Sequence, residues 1–161
     1  MKDETKNKLR GIFDAYDKKQ SEAGKEQAKI KTEKKLFLEN FAKKVQDVIQ
    51  PALDELAEAI ESRGHGCEIS TQKALQDTQG RTQSAQIRML IFPNSRRSQY
   101  GGTHEESSIS FIADSQEEKV WIHTSMMLGR GGSATEYLLE NITKEIVESE
   151  VVHLLAECFG K

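Results

Sequence analysis

Two prolines, two cysteines and one tryptophan are scattered through 161 residues, and aromatic residues make up only 6% of the chain. Two cysteines cannot build a disulfide framework, and no paired Cys or His at finger-like spacing offers a closed zinc site. No stretch of 18 apolar residues occurs, which excludes a spanning helix, and no apolar segment near Met1 has the form of a signal peptide. The expectation is a cytoplasmic protein with no membrane partner, with Cys67 and Cys158 as reduced core residues. A block of like charge is missing too: 23 Lys/Arg stand against 26 Asp/Glu, a net charge of −3.

What is present is polar and unevenly charged. Hydrophobic residues reach 36% and charged residues 30%, with a mean hydropathy of −0.64. Residues 1–35 carry 11 Lys/Arg against 7 Asp/Glu, and residues 36–161 carry 12 against 19, so the two parts stand at +4 and −7. Acidic residues interrupt the basic part throughout, so it reads as a solvated or paired helix rather than a nucleic-acid arm. The division predicts a charged helical extension over 1–35, intermolecular or disordered, and an α+β domain over 36–161.

The strongest pattern lies between Lys35 and Arg63. Leu38, Phe41, Val45, Val48, Ile49, Ala52, Leu53, Leu56 and Ile60 recur three or four apart, the stripe of a helix that covers a sheet. Upstream, a sparse heptad runs through Leu9, Tyr16, Ala23, Ile30 and Phe37. Its companion row drifts from Phe13 to Gln20, Gln27 and Lys34, which makes a weak coiled-coil seam. An uninterrupted helix from Asp3 to Arg63 would be a rod of roughly 90 Å, more than a domain of this size can bury. Pro51 sits inside the stripe and predicts a kink, or a second helix that Pro51 opens. Gly64 suits a left-handed C-cap.

Beyond Gly64 the period becomes two. Cys67-Ile69-Thr71, Ile87-Met89-Ile91, Ile109-Phe111-Ala113 and Val120-Ile122-Thr124 predict four strands, the last two joined by a tight turn at Asp114–Glu118. Leu90, Phe92, Ile112 and Trp121 make some strands apolar on both faces, so the second face is expected to be partly covered, by this chain or by another protomer. A C-terminal helix follows through Ile146, Val147, Val151, Leu154, Leu155 and Cys158. Asn141 or Thr143 is favoured as its cap over the box at Ser133-Ala134-Thr135-Glu136, although Thr135–Leu139 also suits an extended edge segment. The fold class is α+β in the order αββββα.

No segment marks an active site. Leu128–Ser133 is rich in glycine, a composition that can turn backbone N–H groups toward an anion, with Arg130 supplying charge and Ser133 a hydroxyl. It lacks the Gly-Lys-Ser/Thr of a phosphate loop. Asn94–Gly102 combines Arg96, Arg97 and Tyr100, the ingredients of a phosphate or single-strand contact, which Arg81 and Arg88 would extend. A polar connecting loop has the same composition. His65 with Cys67, and His104 with Glu105 and Glu106, stand close in sequence without the spacing of a metal or nucleophile motif. His123 alternates with apolar neighbours, as a hydrogen-bonded structural histidine would. No cofactor is expected.

The reading that follows is a non-catalytic module that associates with itself as a homo-oligomer, or with a protein partner, through the N-terminal helix. The alternatives are a binder of nucleic acid or a phosphorylated ligand through Arg96, Arg97, Tyr100 and Arg130, and a metal-independent hydrolase or transferase built on His65, Cys67, His104 or His123.

Overall fold

Residues 2–76, 79–95, 106–126 and 132–160 are described by a computed structural model of the chain. The chain divides into two units, Met1–Leu36 and Phe37–Lys161. The first consists of helix α1 (Asp3–Lys44) up to Leu36, and its described residues are exposed except half-buried Lys34. An Asp3 and Glu4 first turn suits the positive end of the helix dipole. Glu4 and Lys8 add a surface ion pair at 3.1 Å, of the kind that contributes only tenths of a kcal/mol (about 0.3–0.5).

The second unit is the α+β domain. It begins with the last turns of α1, where Phe37 and Phe41 are buried. Phe37 therefore belongs to the core and not to the heptad seam that its spacing from Ile30 suggests. Pro51 has no N–H to donate, and its ring would press on the carbonyl of Asp47. The helix meets this with a π-helical turn over Val45–Ile49, in which the Gln50 N–H donates to the Val45 carbonyl five residues back. Helix α2 (Gln50–Glu61) then opens with Pro51 in its first turn. It ends in a Schellman motif: Gly64, at φ +87°, donates to the Glu61 carbonyl, and His65 donates to that of Ile60.

Five strands form one antiparallel sheet, one more than the four read from alternation. They are β1 (Gly66–Gln72), β4 (Gln86–Phe92), β5 (Ser107–Asp114), β6 (Lys119–Ser125) and β7 (Gly132–Leu138), in the order β1-β4-β5-β6-β7. Two-residue strands β2 (Leu75–Gln76) and β3 (Thr82–Gln83) make a separate ribbon within the β1–β4 connection. The extended alternative for Thr135–Leu139 is thus realised in β7, while helix α3 (Lys144–Phe159) starts late, with the Thr143 hydroxyl accepting the Ile146 N–H.

Register sorts the side chains. Ile69–Met89–Ile109–Thr124 and Thr71–Ile87–Phe111–Ile122 lie in rows across one face. That face joins Phe37, Phe41, Ile49, Leu53 and Ile60 from the first helices, and Val147, Val151 and Leu154 from α3, in one hydrophobic core. Helices α2 and α3 also touch each other. The opposite face carries Arg88, Ser108, Ser110, Trp121 and His123. Ser108 and Ser110 are buried and Trp121 is half-buried, but Arg88 and His123 are exposed.

Candidate interaction surfaces

His65 and the two cysteines make contacts within the domain. His65 accepts the Asn94 N–H at Nδ1 over 3.0 Å, and its ring lies 5.0 Å from that of Phe159, centroid to centroid. The alternation that places Cys67 on the core side of β1 also half-buries its thiol. Burial, and then the negative charge of Glu61, push that thiol up to about 11, so it is protonated at neutral pH and a poor nucleophile. Cys158 Sγ stands 3.1 Å from the Ser107 hydroxyl, where α3 meets β5. Both thiols are free. His123, expected as a hydrogen-bonded structural histidine, is exposed on the outer face of β6, opposite Ser110 and Ala134. Among the described residues, no group of three His, Cys, Asp or Glu is placed to hold a metal ion.

Of the ligand candidates, Arg96, Arg97, Tyr100 and Arg130 lie outside the described residues, as does His104. Ser133 is on strand β7, where its hydroxyl is 2.8 Å from that of Thr124 and its N–H donates to the same oxygen at 3.0 Å. Gly132 is there for space: a Cβ on it would stand 1.9 Å from the Thr124 carbonyl oxygen. Both residues serve the β6–β7 pairing. Arg88 is on the outer sheet face, donating to the Ser108 hydroxyl at 3.3 Å.

Charge near the β5–β6 turn is likewise structural. Asp114 accepts the N–H groups of Glu117 and Gln116, which hold its carboxyl below the usual range against a smaller opposing effect of burial; Trp121 Nε1 adds a bond at 3.4 Å. Across β7, Lys119 pairs with Glu136 at 3.3 Å, and the Tyr137 hydroxyl donates to Glu150 at 2.8 Å. An open groove of about 360 Å³ lies beside the π-helical turn, lined by Val48, Pro51, Ala52 and Ile142, with Lys144 at its rim held by Glu55 at 2.8 Å.

Among the described residues, Leu36, Leu75 and Leu138 are exposed singly, and two helices carry exposed apolar side chains in stripes. On α1, Leu9, Ile12, Phe13 and Tyr16 follow the i, i+3, i+4, i+7 spacing of a single stripe and are 40%, 64%, 61% and 60% exposed; Ile30 continues the row at 45%. On α3, Val152 and Phe159 are 56% and 42% exposed, seven residues apart on the side away from the core. The heptad row of α1 is legible in the sequence, but Ile12 lies beside that row rather than on it. On α3 the inner stripe is the stronger pattern, and the only sequence signal of the outer one is the i, i+4, i+7 spacing of Val152, Ala156 and Phe159. Set against protein-family models, curated proteins and solved structures, the chain matches none.

Proposed function

We propose that the protein is a non-catalytic interaction module of the cytoplasm that associates with itself through the basic, apolar-striped helix of residues 3–36. The observation that carries this reading is the stripe of Leu9, Ile12, Phe13 and Tyr16. Three of its four side chains keep about 60% of their surface in water, and covering them recovers roughly 1–2 kcal/mol apiece. A contiguous apolar patch rimmed by charge is the usual mark of an interaction site. The row is repeated along the helix by Ala23 and Ile30, as a helix-to-helix seam requires. Two half-buried free thiols suit a reducing compartment.

The test is the native mass of the full-length chain and of its Phe13→Glu variant. Wild type should run as a multiple of 18.2 kDa, and the variant should dissociate at least tenfold more readily, since a stripe residue is replaced by a charge that resists desolvation. Glu favours helix nearly as well as any residue, so the change leaves helix propensity intact. A wild-type monomer throughout the micromolar range would refute the reading.

A further inference from the structure

We infer that the receptor for this helix is the outer face of α3 in a second copy, so that two chains exchange their N-terminal helices. The inference rests on the self-association proposed above and names its contact surface. Helix α3 buries Val147, Val151 and Leu154. On its other side Glu145, Val152, Ala156 and Phe159 form one stripe, with Glu148 beside it. The Phe159 ring is held against His65, which leaves its exposed edge fixed in place as an anchor.

The two stripes match in spacing and oppose in charge. With the helices side by side in the same direction, a single constant offset sets Leu9 against Val152, Phe13 against Ala156 and Tyr16 against Phe159. A large ring thus meets the smallest side chain of the row. The same offset brings Lys2 to Glu145, and Lys6 to Ser149 beside Glu148. Packing in the opposite direction would leave Lys2 and Lys6 past Gly160 and set Ala23 against Glu145. The wider charges agree, because residues up to Leu36 carry +4 and the rest of the chain −7.

Area decides the form of the assembly. A stable interface buries about 1,200–2,000 Å², and two or three turns of one helix on another supply only part of that. Reciprocal exchange doubles the contact and closes it on a two-fold axis as a dimer, where one-way docking would run on into a larger ring or a filament.

The test uses full-length K2E/K6E and E145K/E148K, with dimer dissociation constants measured by sedimentation at low salt, where surface charge is least screened. Each variant alone should dimerise at least tenfold more weakly, since like charges then face each other in both contacts. Mixed one to one, they should restore wild-type affinity as a heterodimer: one contact then joins the two altered surfaces and the other the two native ones. V152E, which changes an exposed residue, should weaken dimerisation at least tenfold while leaving the thermal unfolding midpoint within about 3 °C. If F13E dissociates as proposed but V152E and the charge variants dimerise as tightly as wild type, α3 is not the receptor and self-association stands. A mixture that fails to restore affinity overturns the inference as well. A monomeric wild type removes both readings.

Discussion

The Cys67 thiol provides a quantitative check on how its surroundings set its reactivity. It lies on the core side of β1, half-buried, with the Glu61 carboxylate of α2 close enough to disfavour a second negative charge. Burial is the larger cause of its rise from the ordinary 9.0 to about 11. At pH 8 an ordinary thiol with that starting value is about one-tenth thiolate, whereas a thiol at about 11 is about one-thousandth. Only the thiolate attacks iodoacetamide, so ionisation alone slows alkylation roughly a hundredfold in the folded protein relative to the same residue in denaturant. Peptide mapping of a timed alkylation separates Cys67 from Cys158 and gives the ratio directly. Glu61→Gln should raise the folded-state rate, but by less than unfolding does, because burial remains. A Cys67 that reacts within a few-fold of its denatured rate would refute this account of its surroundings and reopen nucleophilic chemistry at β1.

Two further outcomes test the local structure. Gly64 has φ +87° with open space where a Cβ would sit, so Gly64→Ala should cost about 1 kcal/mol through backbone strain alone, read as a drop in the denaturation midpoint with an unchanged slope. Asp114→Ala removes the acceptor of two turn N–H groups and the partner of Trp121 and should cost about 1 kcal/mol. Because the Asp114 carboxyl titrates below its ordinary 3.8, its ionised form stabilises the fold above that value. The contribution is lost as pH falls through the lowered value; the gap between wild type and Asp114→Asn should therefore be widest near neutrality and close in acid.

Much of this architecture was legible from periodicity and caps. The broad stripe from Leu38 to Ile60, the left-handed glycine at 64, four alternating segments and a late α3 start capped at Asn141 or Thr143 each depend on interactions within a few residues. Strand β7 was harder, because it is an edge strand: most of its residues are exposed and only Tyr137 is half-buried, so no apolar alternation announces it. The β2–β3 ribbon is two residues long on each side and equally silent. The α1 half of the proposed interface showed itself as a heptad row. The α3 half did not, since an apolar residue on a short helix reads as core until the sheet shows which side is already occupied.

Local chemistry by itself therefore determined the class of the fold, the helix end at Gly64 and the run of four alternating strands between the helices, since hydrogen-bonding rings, glycine dihedrals and side-chain period act over a handful of neighbours. Only the tertiary structure decided that Phe37 is core while Leu9 to Tyr16 stand in water, that Pro51 is met by a π-helical turn, that Gly132 is needed by a carbonyl on the adjacent strand, and that Val152 and Phe159 face outward. Those outcomes depend on what lies across the sheet or beside the helix, and burial is settled by such distant neighbours because apolar surface leaves water only where another surface arrives to cover it.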